Sequence, residues 1–560
     1  MAGIIKKGTV SVMLKDKKAV FIHSLSACGE KSEAIVDRLR KIALPVLLCA
    51  VSCAGTLANA QTLFPLTTGS TWTLVSPYTT VPLKLTVEWS DTAGGQALAS
   101  VRFDNSVETY SMLLRADATG VSMDGVAVSG IESRFPEPSP LFPVSSQTGK
   151  TWSGGLGTVT LTGVNLTVTT PLGKYTGCSR YTVAFPDGST QIWTINPAKG
   201  FIQFGDPSWA FGLSAVTIAN GVTKPVGAPV NCPLLGLSAI PWNETMTDAQ
   251  RDGALGVALA AGSKVLTVNA PWSELESAPG VYNFGRVASE LRLAAKYNLP
   301  AVLTIGTIFS GAPAMPADLA AAGKSWADPV VASRFVAMLQ SLKSSVPTQT
   351  KWLNLGYEVD TYLSQNPGQV APYVTFLTSV KPLAKSILGL STGIVFSFDT
   401  TRASTAAYAQ LQGVADHIAF DYYAIGPNFQ QRDPAGVPSD LWLMNRLAAG
   451  RPVIVNEAGY STAALTNSSA QRQATFFQDI FSSLQVSSGN IVAVTAWSLN
   501  DMPADQIQAA IAGLAVQPTQ AATAYLGSLG LRDVSGNPKQ AWTIFTTSAT
   551  LLSAQNACRQ

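Results

Sequence analysis

Histidine is nearly absent: the 560 residues hold two, and only His417 lies beyond residue 60. A Ser/His/Asp hydrolase or a histidine-built zinc site has almost no material. The six cysteines include no Cys-x-x-Cys pair, which argues further against a structural metal. Charge is thin, at 13% Asp, Glu, Lys and Arg against roughly 25% in soluble domains. With a mean hydropathy of +0.21, a charge-rich disordered chain is excluded. The net +3 is concentrated at the start: residues 1–41 carry nine Lys/Arg and four Asp/Glu, leaving 28 basic against 30 acidic residues beyond. With no basic excess, nucleic acid and anionic membrane surfaces are not expected partners.

What is present begins with an uncharged run, Ile42 to Ala60, preceded by Arg38, Arg40 and Lys41 and ending in Ala58-Asn59-Ala60. This is the pattern of a secretory signal cleaved before Gln61, with residues 1–37 as a long lead and Met13 as an internal start. Pro45 and the small residues after Leu48 shorten the apolar part below the roughly 20 residues a membrane span needs, so no integral span is expected after cleavage. The product is expected in the periplasm or outside the cell. Lipid anchoring through Cys53 is the weaker alternative, because the leucine usual three positions earlier is missing. Beyond the signal remain Cys178, Cys232 and Cys558, of which the last two bracket the second half and are candidates for a disulfide in an oxidising compartment.

At roughly 150 residues per domain the length calls for several units, or fewer if one is a large barrel. Residues 61–219 read with period two. Leu83, Leu85, Val87 and Trp89 alternate with Lys84, Thr86 and Glu88, and similar runs are separated by turns such as Pro186-Asp187-Gly188. The pattern predicts a smaller antiparallel all-β domain, with Trp72, Trp89, Trp152 and Trp193 as core. Residues 220–231, rich in Pro and Gly, read as a linker. From 232 to 560, short apolar runs alternate with amphipathic stretches. Eight strands are expected: Leu234–Ile240, Lys264–Ala270, Ala301–Thr307, Trp352–Tyr357, Gly393–Phe398, His417–Tyr423, Pro452–Glu457 and Ile491–Trp497. Eight repeats of this length predict an α/β fold of the (β/α)8 TIM-barrel type. An open doubly wound sheet would carry a Gly-rich turn after its first strand, where Pro241-Trp242-Asn243-Glu244 stands instead.

In such barrels chemistry gathers at the C-terminal strand ends. Strands four and seven each run into a glutamate there, Glu358 and Glu457. A carboxylate ending a buried strand is costly unless paired or used. Two of them about 5–5.5 Å apart could serve as acid and nucleophile on a glycosidic bond.

These signatures resemble the clan of retaining glycoside hydrolases built on a (β/α)8 barrel. The resemblance implies Glu358 as acid/base and Glu457 as nucleophile, with Tyr423 of Asp421-Tyr422-Tyr423 hydrogen-bonding the nucleophile and Trp497 forming the floor under the sugar. Ala270-Pro271-Trp272-Ser273-Glu274 is similar to the clan's strand-two signature, and Trp272, Trp242 and Tyr460 become candidate sugar platforms. Two positions depart from the pattern: Tyr357 replaces the usual asparagine before the acid/base, and Asp421 replaces a histidine. Asp360 and Glu276 read as solvated loop carboxylates. The expected partner is a poly- or oligosaccharide, and no cofactor is implied, since two carboxylates suffice. The alternative is a polysaccharide-binding or envelope scaffold that kept the barrel and lost turnover.

Overall fold

The computed structural model describes residues 65–554 apart from gaps at 77–78, 94–95, 105–108, 155–156, 207–210, 220–223, 226–232, 241–245, 487–488 and 515. The expected signal with Cys53, the candidate Cys232–Cys558 disulfide and Trp242 therefore lie outside the described residues. Among the described residues no helix is long and apolar enough to cross a membrane.

Two sheets organise the chain. The first is antiparallel: strands from Thr71–Ser76 to Ile131–Pro143 pair successively, as do those from Thr151–Gly154 to Phe211–Thr217, and Phe211–Thr217 pairs with Thr71–Ser76, so that Ile131–Pro143 and Thr151–Gly154 are the sheet's two ends. Trp72 and Trp193 are fully buried in its core, as alternation predicts. Trp89 is an exception: it leaves that core and packs on the second body, with its ring centroid 5.0 Å from that of Trp442. Within the predicted linker, Lys224–Pro225 pairs in parallel with Asp91 and Thr92 of strand Thr79–Ala93.

The second sheet is the parallel barrel. Its strands, numbered one to eight, are Leu234–Ser238, Leu266–Pro271, Ala301–Gly306, Thr350–Asn354, Ser391–Ser397, His417–Tyr422, Val453–Ala458 and Ile491–Trp497. They pair in sequence, and strand eight pairs with strand one. Strands one and two meet through a single backbone bridge, Gly236 to Val265. A Cβ on Gly236 would lie 2.7 Å from the Val265 side chain, so glycine is what allows this closure.

The interior changes chemistry along the barrel axis. Its lower layer is apolar, formed by Val265, Val302, Val395, Ala419, Ile454 and Ala493. Two residues beyond Val265, Val302, Ala419, Ile454 and Ala493 stand Thr267, Thr304, Asp421, Asn456 and Thr495, with Asn354 two beyond the neighbouring Trp352, and these polar groups must pair. Thr267 bonds Thr495 at 3.1 Å, and Asn354 donates to Thr304 at 3.0 Å. His417, the histidine singled out above, is structural. Its Nε2 contacts the amide oxygen of Asn354 at 2.9 Å, which must accept, so Nδ1 accepts from the Ser391 hydroxyl. Burial lowers its pKa to about 3, keeping it neutral. Gly393 makes room for the ring, since a Cβ there would lie 2.2 Å from it.

Candidate active site

Alternation alone would point Glu457 away from the barrel. Ile454 faces inward, so Asn456 and Ala458 should follow it and Glu457 should face out. The register shows how this is avoided: Phe420 pairs with Val455 but the next residue, Asp421, pairs with Glu457. Asn456 is the extra residue of a β-bulge, which re-aims the side chain after it. Glu457 then turns to Tyr423, the residue that follows strand six.

Both Glu457 oxygens are held. Oε2 accepts from Tyr423 at 2.5 Å and Tyr357 at 2.9 Å, and Oε1 accepts from Asn269 of strand two at 3.0 Å. A carboxylate has about four acceptor sites, so three donors leave one lone pair free. Burial raises the Glu457 carboxyl above its ordinary value, and these three hydrogen bonds offset only part of that rise. The ring of Tyr423 fits against Gly459, where a Cβ would lie 2.6 Å from it.

Glu358 is placed differently from expectation. Strand four ends at Asn354, and Glu358 follows in a left-handed conformation (φ 46°, ψ 44°) as the cap of helix Val359–Gln365. Such a conformation costs a non-glycine residue roughly 1–2 kcal/mol and persists because its neighbours are pinned. Tyr357 N–H donates to Ile308 O at 2.9 Å and its carbonyl accepts from Ser310 N–H at 2.8 Å. On the other side, Asp360 accepts from Ser397 N–H at 2.8 Å and Thr401 Oγ1 at 2.7 Å. Half-buried Glu358 has its pKa pushed up to about 8, mainly by burial and then by the charge of Glu457 against the opposing Ser310 hydrogen bond. Asp421 is fully buried and pushed far above the carboxylate range by desolvation, with Glu457 and Glu358 adding to it; its Oδ1 accepts from Asn456 Nδ2 at 3.0 Å. At neutral pH Glu358 keeps its proton, and burial pushes Asp421 in the same direction.

Several expected ligand contacts are core contacts instead. Trp272 is fully buried, donates to Glu276 at 3.0 Å and meets Phe335 edge-on at 5.1 Å, so neither face is offered to a sugar. Tyr460 is buried with its hydroxyl on Arg432 O at 2.6 Å. Glu276 and Asp360 are not solvated: Glu276 accepts from Trp272, from Gly280 N–H at 3.3 Å and from Arg334 at 2.8 Å. Trp497 is half-buried at the top of strand eight, edge-on to Tyr423 at 6.2 Å, and the peptide between Trp497 and Ser498 is cis. Tyr357 does not point away in search of a sugar hydroxyl; it stacks on Phe309 at 4.4 Å and serves Glu457.

Leu514, after helix Ala504–Gly513, packs on Phe309, Ala314 and Tyr357 and also joins the cluster containing Tyr423 and Trp497. Glu457 is 5% exposed. Two cavities of about 340 and 350 Å³ lie elsewhere, one between the sheet and barrel at Trp89 and Arg446, the other near Lys343 and Lys351. Asn269, Asn456 and Ser310 were not singled out from the sequence. A polar residue at an inward position of an otherwise apolar strand was the available signal for Asn269.

No family model matches the chain, and no curated protein does. Among solved structures it is similar to GH5_18 from Bifidobacterium longum subsp. longum ATCC 55813, at 15% identity over 58% of this chain and 80% of that one, with a TM-score of 0.46. It is similar to GH5_18 from Streptomyces cattleya in complex with GlcNAc, at 14% identity over 59% and 82% of the two chains, with a TM-score of 0.47. A third is the exo-beta-1,4-mannosidase Op5Man5 from Opitutaceae bacterium strain TAV5, at 17% identity over 59% and 60%, with a TM-score of 0.44. Scores of this size assign no residue a role, and the barrel described above rests on its own strand order.

Proposed function

We propose that the protein is an exported glycoside hydrolase that cleaves a poly- or oligosaccharide with retention at the anomeric carbon. Glu358 protonates the glycosidic oxygen while Glu457 attacks the anomeric carbon; water then releases the glycosyl-enzyme with Glu358 as base. The observation that carries this reading is the unequal treatment of the two glutamates. Glu457 has three donors that favour its charged form, whereas burial keeps Glu358 protonated to about pH 8. An ionised attacker beside a neutral acid is what double displacement needs. Trp497 supplies an apolar face for the sugar. Export rests on the leading sequence, and the division at residues 61–219, 220–231 and 232–560 on composition and periodicity.

One observation favours a scaffold that binds saccharide without turnover: Leu514 packs over the Tyr357 side of the site. The two readings part in a screen of purified protein against aryl β-glycosides and bacterial exopolysaccharides, with Glu457→Ala as control. Turnover lost in the variant supports the hydrolase. Saturable binding with no reducing ends released by the wild type supports the scaffold. A 2-fluoro glycoside should label Glu457, and labelling of another residue overturns the assignment.

A further inference from the structure

The antiparallel sheet had no role in the sequence reading, yet its strand Ile131–Pro143 abuts the barrel loops that follow strands five and six. Glu132 exchanges backbone and side-chain hydrogen bonds with Thr405 at 3.0 and 2.9 Å and forms an ion pair with Arg446. Glu137 accepts from Asp433 N–H at 3.1 Å, and the Phe135 carbonyl accepts from Arg402 Nη1.

Arg402 begins a chain of buried charges. Its Nε donates to Asp440 at 3.0 Å; Asp440 accepts from Arg432 at 2.8 Å; Arg432 donates to Asp399 at 2.6 Å. Asp399 in turn accepts from the backbone N–H groups of Tyr423 and Ile425, each at 3.1 Å. Two guanidiniums thus meet two carboxylates, all at least nine-tenths buried. The far end is the residue whose hydroxyl holds Glu457. We infer that strand Ile131–Pro143 is a positioning element for Glu457, acting through Arg402, Asp440, Arg432 and Asp399 on the backbone of Tyr423. The inference rests on Glu457 as the nucleophile of the proposed hydrolase. The sheet is then a part of the site's support rather than a separate binding module.

The test is Arg402→Gln, which leaves Glu457 and its titratable neighbours Tyr357, Glu358, Asp421, Tyr423 and Tyr525 unaltered. The carboxylate infrared band of Glu457, isolated as the difference from the same protein carrying Glu457→Gln, is titrated alongside the pH profile of kcat/KM on an aryl glycoside. Loosening Tyr423 removes support for the charged carboxylate, so the midpoint and the acid limb should rise by roughly half to one pH unit, with kcat falling more than KM changes. Arg402→Lys keeps the charge without the fork and should fall between. Glu137→Ala, at the exposed end of the same contact, should move the midpoint less and in the same direction. A lower Tm with the midpoint unchanged in Arg402→Gln overturns the inference; if that variant does not fold, an unchanged midpoint in Glu137→Ala does so. A midpoint that moves in a protein whose wild type turns over no glycoside keeps the positioning role and removes the hydrolase reading.

Discussion

Replacing Tyr357 by Phe removes one hydroxyl that serves Glu457 and also bonds Asp421. The ring stays stacked on Phe309, and the backbone bonds to Ile308 and Ser310 are untouched. What disappears is the 2.9 Å hydroxyl bond to Oε2, one of three donors on that carboxylate. Hydrogen bonds to charged groups contribute roughly 1.5–3 kcal/mol. At about 1.4 kcal/mol per pKa unit, losing one should raise the Glu457 pKa by about one to two units. The sign follows from the charge: the bond favours the ionised form, so its loss favours the proton. The acid limb of kcat/KM on an aryl glycoside should therefore move upward by that interval. At a pH well below the original limb the rate should fall roughly 10- to 100-fold, while the loss on the plateau is smaller. Urea unfolding run in parallel checks that the fold survives. An unchanged limb and rate in a stably folded variant would falsify the claim that this hydroxyl holds a working charge.

Three further outcomes are expected of the same molecule. Burial lifts Glu358 from 4.5 to about 8, so the folded state retains a proton that the unfolded chain releases across that window, and stability falls as pH rises through it. Glu358→Gln should then be more stable than wild type at pH 8–9 by up to about 4–5 kcal/mol and equal to it near pH 4; parallel pH–stability curves in urea refute this. Gly393→Ala places a methyl group on the His417 ring and should destabilise by about 3 kcal/mol in chemical unfolding, with a neutral result meaning that the ring can move aside. Trp272→Ala should cost about 3–5 kcal/mol with KM unchanged in the molecules that remain folded. Weaker saccharide binding at full stability would return Trp272 to the site.

The eight strands were legible because each is a short apolar run between amphipathic stretches, and their C-terminal ends pointed to Glu358 and Glu457. Strand limits shifted by a few residues, most at strand four, where the run to Tyr357 breaks at Asn354 because Gly356 and Glu358 adopt positive φ. The bulge at Asn456 was invisible, since one extra residue leaves no mark in composition, and without it the alternation rule points Glu457 outward. Trp272, Tyr460, Glu276 and Asp360 were read as accessible because position along a strand says nothing about what packs above it. Their partners Phe335, Arg432, Arg334 and Thr401 come from elsewhere in the chain. The same distance in sequence hid the contact of Phe135 with Arg402.

The Gly236–Val265 junction makes the barrel unequal around its circumference. Elsewhere neighbouring strands share ladders, but strands one and two touch at one rung, supported by Lys264 N–H on Leu235 O and by Leu237 N–H on Ser263 Oγ. A hoop with one thin joint concentrates its breathing there and spares the opposite arc. Strands four to seven form that arc and carry Tyr357, Glu358, Tyr423 and Glu457. Of the three grips on Glu457, only Asn269 rides on a strand beside the joint, so the two tyrosines keep hold while the ring flexes.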